Sequence, residues 1–222
     1  MEKKTSLREI IIAAIILIVL VAVVATIMKK NKGDATRLAS FRNMQQWGIA
    51  LNLYLIDNEN QLPEVGQTPV APEQKKAWYN ALPPYISQKS LGDLAAGERP
   101  RPGVQSLWID PESKPVKSWD PEVFYFNYGM NKYLQPVEGT RSFRINEISF
   151  PSNIVFLVEV SDYNPGAGPE DVAFPKGSGP KTLSNVLFCD GHVQAVDKQH
   201  LVDDPNAITA AAAEQGLSWF KQ

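Results

Sequence analysis

Residues 10–28 read IIIAAIILIVLVAVVATIM, nineteen positions with no charge and one polar side chain, Thr26. A helix rises about 1.5 Å per residue, so this run is roughly 28 Å long, close to the ~30 Å hydrocarbon core of a bilayer. Buried helices of globular domains rarely carry so long an apolar run. The stretch predicts a membrane-spanning helix bounded by Ile10 and Met28. Lys3, Lys4 and Arg8 flank it on one side and Lys29, Lys30 and Lys32 on the other, where long cationic side chains can reach the interfaces. Residues 1–33 then form an anchor, and 34–222 a separate domain. A cleaved secretory signal is the alternative, with the cut at Val23-Val24-Ala25. Lys and Arg are balanced across the run, so charge does not set its orientation.

Residues 1–33 carry a net charge of +4 and the remainder −6. An acidic domain argues against nucleic acid as a partner, because neutralising phosphates takes a basic face. Cys189 is the single cysteine, which excludes an intrachain disulfide. Seventeen prolines and fourteen glycines point to a loop-rich domain with short strands.

Beyond the apolar run, residues 34–58 predict an amphipathic spine helix. Leu38, Phe41, Met44, Trp47, Leu51, Tyr54 and Leu55 recur at steps of three and four and build one apolar stripe. Gly48 weakens that helix by up to ~1 kcal/mol relative to Ala. Gly33-Asp34 could break the rod; without a break it is continuous from the apolar run. Residues 61–103 are Pro-rich and irregular, with a short helix around Trp78–Leu82. A β region spans 123–200. In it Phe124–Tyr128 is an aromatic strand and Ile154–Val160 the strongest, central one. Val186–Val196 reads as a hairpin turning at Asp190-Gly191, a preferred two-residue turn in which both positions tolerate positive φ. Asp204 starts a last helix through the alanines, Gly216 ends it, and Trp219-Phe220 dock back.

Candidate chemistry is sparse. Cys189, Asp190 and His192 are neighbours, but a two-residue turn pairs Cys189 with His192 across the ladder and uses Asp190 for the turn. His200 is the only other histidine, too few for a Cys/His metal site. No Gly-rich phosphate loop, Ser-based elbow or His-Glu-x-x-His motif occurs. These residues predict neither an enzyme nor a resident cofactor.

The N-terminal Leu7, Glu9 and Ile10 resemble the start of type IV pilins and pseudopilins, in which a Glu precedes the apolar helix. Lys4, Thr5 and Arg8 stand where those chains carry Gly, an aromatic and an aliphatic residue. Further along, four segments occur in order: Tyr54-Leu55-Ile56-Asp57-Asn58 with Leu62-Pro63, Tyr128-Gly129-Met130-Asn131, Pro151-Ser152 with Ile154–Val160, and Asn185–Val193 with its Asp-Gly hairpin. The body thereby resembles prepilin-type processing-associated proteins of planctomycete and verrucomicrobial type. It departs at Pro180, where that signature has His, and at Asp110, where a Cys commonly precedes Pro.

The resemblance implies an α+β, pilin-like fold: a long N-terminal transmembrane and spine helix on a small antiparallel sheet. It implies a structural subunit of a type II secretion or type IV pilus-like system, assembling through that helix with other pilin-like subunits as a homo- or hetero-oligomer. Glu9 would be the assembly residue, paired with a neighbour's N-terminal amine. The bilayer would be the other partner. The location implied is the bacterial inner membrane, single-pass, with the domain periplasmic. Some pseudopilins hold calcium in a late loop. Asp162 and Asp171, in the acidic Gly-Pro loop 161–179, are the candidate oxygen ligands here. The alternative function is a membrane-anchored envelope binding module that forms no filament.

Overall fold

The computed structural model describes residues 7–113, 119–120, 122–135, 140–161, 163–174, 183–197 and Trp219. Before Ala35, side chains are described only at 17, 18, 20–22, 25 and 26. Met1–Leu38 and Ala39–Gln222 form two compact units. A single helix, α1 (Leu7–Asp57), contributes to both and runs through Gly33-Asp34 without a break. In the first unit the described side chains Leu17, Ile18, Leu20 and Val21 are exposed to solvent. In the second, the predicted stripe is buried from Met44 on: Met44, Trp47 and Leu51 have no exposed surface and Tyr54 and Leu55 little, whereas Phe41 is only partly buried and Leu38, in the first unit, is 49% exposed.

The second unit is α+β. After α1 come a one-turn helix α2 (Trp78–Ala81) and a 3-10 turn at Pro83–Ile86, which together place Trp78 and Tyr79 in the core. Among the described residues five strands follow: β1 (Tyr128–Asn131), β2 (Val155–Glu159), β3 (Gly166–Ala167), β4 (Leu183–Phe188) and β5 (Val193–Asp197). They form one sheet in the order β3-β1-β2-β4-β5. Central β2 has all five residues buried, which is why its sequence is an apolar run rather than an alternation. One face of the sheet packs on α1 and α2 through Phe156, Leu157, Leu187, Trp47 and Trp78. The other face forms a second core of Val155, Val158, Val186, Phe188 and Val196, closed by Trp219. The amide of buried Asn131 donates to the carbonyls of Trp219 (2.8 Å) and Val155 (2.9 Å), tying that closure to the sheet.

Several expectations need correction. Among the described residues no helix is long and apolar enough to cross a membrane. That finding overturns the transmembrane helix, the pilin-like fold class built on it, and the single-pass inner-membrane location. The side chains of α1 described without interruption begin at Ala35. From there Arg37, Arg42, Gln45, Gln46, Asn52 and Asp57 interrupt the apolar residues, and a span needs ~20 predominantly apolar positions. Most side chains of Ile10–Met28, both end residues included, lie outside the described residues. The sheet is mixed rather than antiparallel, because β1 and β3 run parallel, Met130 opposite Gly166. Of the predicted aromatic strand only Tyr128 is in β1; Tyr125 and Phe126 precede it and are buried off the ladder. The predicted helix from Asp204 to Gly216 lies outside the described residues.

The β4–β5 hairpin is also built differently. Leu187 pairs with Val193, and the Phe188 N–H donates to the His192 carbonyl at 3.0 Å. The loop therefore has three residues, Cys189-Asp190-Gly191. Gly191 N–H closes the turn on the Phe188 carbonyl at 2.9 Å, and Gly191 alone has positive φ, +89°. This is a type I turn followed by a left-handed glycine, the geometry of three-residue hairpins. Cys189 moves inward, where its N–H reaches the Ile154 carbonyl, and His192 stacks on Phe188 with ring centroids 4.4 Å apart.

Candidate functional site

The most unusual chemistry in the domain is buried between α1 and the sheet. Glu159, at the end of β2, has no exposed surface. Its Oε1 accepts from the Ser40 hydroxyl of α1 and from Asn185 Nδ2 (2.9 Å). Its Oε2 accepts from the Ser184 hydroxyl (3.0 Å) and the Asn185 backbone N–H (2.9 Å). Four donors from one helix and one neighbouring strand fill the carboxylate's acceptor positions. Leu157 and Glu159 share the α1-facing side of β2, as Asn185 and Leu187 do on β4. The pleat thus carries a polar pair to the edge of an otherwise apolar interface.

A second acid lies beside the first. Asp110 is 3% exposed and its Oδ1 accepts from the Glu112 N–H at 2.9 Å. It acts electrostatically on Glu159 and shares Ser40 with it. Tyr128, also fully buried, accepts from Asn43 Nδ2 at 3.2 Å. That amide further donates to the carbonyls of Ser106 and Ile109, holding the Asp110 segment against α1. Burial, and then the Asp110 charge, push Glu159 up to about 8, against the opposing hydrogen bonds of Ser40 and Asn185. Burial likewise raises Asp110, and it lifts the Tyr128 phenol well above its ordinary value. Such a cluster can hold a proton within the protein interior. It offers no route for a substrate, since Ser40, Tyr128 and Glu159 are all enclosed.

Of the residues singled out from the sequence, Glu9, Ile10 and Met28 have side chains outside the described residues, as does Asp162 altogether. Asp171 is described. Its Oδ2 accepts from the Gly168 N–H at 2.8 Å, and Lys132 Nζ lies 4.0 Å away. The same lysine pairs with Glu170, so Asp171 is committed to a turn and faces a cation. Among the described residues no group of three or more His, Cys, Asp and Glu side chains could hold a metal ion. Asp190 accepts from the His192 N–H (3.1 Å) and lies 2.6 Å from His192 Nδ1, at the surface. Cys189 is buried and its thiol is raised well above its ordinary value by that burial, the opposite of a reactive thiolate.

Sequence reading missed the acid pair. The one available signal was a Glu inside the run Ile154–Val160, since an acid in a fully buried strand must be partnered or protonated. A surface groove of 410 Å³ is lined by Tyr54, Asp57, Asn58, Lys75, Lys76 and Tyr85 among others. It is shallow and solvent-open, with Asn58 bridged to the Tyr85 hydroxyl at 3.2 Å. The chain matches no protein-family model, no curated protein and no solved structure.

Proposed function

We propose that this chain is a structural subunit rather than a catalyst. It assembles with further copies or with related chains through the N-terminal part of α1, in the manner of the type II secretion and type IV pilus-like subunits its sequence resembles. The observation that supports this reading is the group of exposed apolar side chains in the N-terminal part of α1. Met44, Trp47 and Leu51 are spent inside the domain, with no exposed surface. Leu17, Ile18, Leu20 and Val21, on the same helix, are 55–68% exposed. Leu17 and Val21 lie one turn apart on one face. Apolar side chains grouped in this way mark an interaction surface, and another helix of the same character is the occupant that suits it.

A photo-crosslinking amino acid in place of Ile18, in cells producing the full chain, tests the proposal. A ladder of crosslinked species above the 24.6 kDa chain is the expected result, at multiples of that mass if the partners are further copies; monomer alone would overturn it and favour a binding module that forms no filament. Glu9→Ala is expected to leave the fold of 39–222 intact and to abolish that ladder, because an assembly charge pair in a desolvated helix bundle loses one partner. Normal incorporation of the variant would remove Glu9 from the interface.

A further inference from the structure

Ser40, Asn43, Asp110, Tyr128, Glu159, Ser184 and Asn185 bring together two carboxyl groups and a phenol, and among the described residues the groups acting on them include no base. The α1 helix brings Ser40 and Asn43, β1 brings Tyr128, β2 brings Glu159, β4 brings Ser184 and Asn185, and the loop before β1 brings Asp110. The titratable members are Asp110, Tyr128 and Glu159.

The hydrogens available do not cover the acceptors if both acids are ionised. Ser40 has one hydroxyl hydrogen and is shared by Glu159, Asp110 and Tyr128. Asn185 Nδ2 donates to the Ser40 oxygen at 3.1 Å, so that hydrogen can serve a single acid. Two carboxylates facing one hydroxyl in a low-dielectric interior repel each other, and among the described residues no cation is among the groups acting on them. Pairs of this kind take up one proton between them.

From this juxtaposition we infer that Asp110 and Glu159 jointly hold one proton at neutral pH, and that this proton latches the Ala39–Asp57 part of α1 to the sheet. Loss of the proton leaves two like charges around Ser40. The helix loosens there first, because Ser40 and Asn43 are its polar contacts to Glu159 and to the Asp110 segment. The neutral-to-alkaline range is where the latch responds, since burial and the Asp110 charge place Glu159 up at about 8.

Hydrogen exchange of the full chain, followed by mass spectrometry from about pH 6.5 to about 9.5 and corrected for intrinsic exchange chemistry, tests the latch. Peptides from 39–57 and from β4 are expected to gain about tenfold or more in opening over that range, the equivalent of one unit of differential proton affinity. Glu159→Gln, whose amide can donate to Ser40 while its carbonyl accepts from Ser184 and Asn185, is expected to flatten the response. Equal pH dependence in wild type and Glu159→Gln would overturn the inference. Should Glu159→Gln fail to fold, infrared spectroscopy of the wild type decides. A protonated-carboxyl C=O band at about pH 6.5 that bleaches on alkaline titration supports the shared proton, and absence of that band overturns it.

Discussion

Gly48→Ala is expected to lower the melting temperature of the full chain by about 4–12 °C, a loss of about 2–3 kcal/mol. Helix propensity alone demands the opposite sign, a gain of up to ~1 kcal/mol for Gly to Ala in a helix interior. The structure decides against propensity because a Cβ on Gly48 would stand 2.4 Å from the Gly191 carbonyl oxygen and 3.1 Å from Leu187 Cδ1. The first neighbour is backbone, in the peptide unit whose His192 N–H donates to Asp190 Oδ1 at 3.1 Å, so it is not free to rotate away. The hairpin loop sits directly on α1 at this point. Its other contact is reciprocal: a Cβ on Gly191 would meet Asn52 Nδ2 at 2.3 Å, and Gly191 also holds φ +89°. Gly191→Val therefore combines a backbone strain of about 1–3 kcal/mol with a clash, and is expected to lose more than Gly48→Ala. Chemical denaturation of both variants and of the double variant measures this. If the substitutions act on one helix–loop contact, their losses will fall short of additive. A higher melting temperature for Gly48→Ala would show that the loop yields.

Trp47→Ala is expected to cost about 3–5 kcal/mol, the range for removing a large aromatic side chain from a packed core. Its ring lies 5.5 Å from Trp78, 4.9 Å from Trp108 and 6.5 Å from Tyr128, so truncation empties the centre of an aromatic cluster. A sharper test compares two Trp→Phe changes. Trp47 Nε1 is buried with no hydrogen-bond partner among the described residues, whereas Trp78 Nε1 donates to the Pro165 carbonyl at 3.0 Å. Phe at 47 removes an unsatisfied donor, which offsets part of the lost volume; Phe at 78 removes a made hydrogen bond. Trp47→Phe is accordingly expected to be the milder variant by about 1–2 kcal/mol in denaturant titrations. Equal losses would mean that Trp47 Nε1 is satisfied in solution.

The acid pair sets the pH profile of stability. Glu159 is raised in the folded state, so its contribution is fully present below the ordinary glutamate range near 4.5 and is lost as pH climbs to about 8. Asp110, raised in the same direction, adds to that slope. The folded domain is expected to be less stable at pH 8.5 than at pH 6, the reverse of the trend that surface ion pairs with lowered carboxylates produce.

Local pattern determined a definite part of this protein. The three-and-four spacing of Met44, Trp47, Leu51 and Tyr54 predicts one buried helical face, and these residues lie in the core because periodicity and burial are the same geometric fact. The unbroken apolar texture of Ile154–Val158 announces a strand covered on both faces, and Asp190-Gly191 announces a reversal. What escaped depends on pairings distant in sequence. The hairpin loop has three residues rather than two because Cys189 is drawn inward to Ile154, 35 positions earlier, and no turn rule contains that contact. Gly48 reads as a weak point in a helix and is instead the clearance for a loop carbonyl. Ser40 and Glu159 are 119 residues apart, and neither looks unusual beside its own neighbours. Their chemistry arises only when the sheet register carries Glu159 and Asn185 to the same face and α1 lays Ser40 across them. Burial, charge and proton count are properties of that enclosure, so tertiary structure alone decided where this chain places its buried acids.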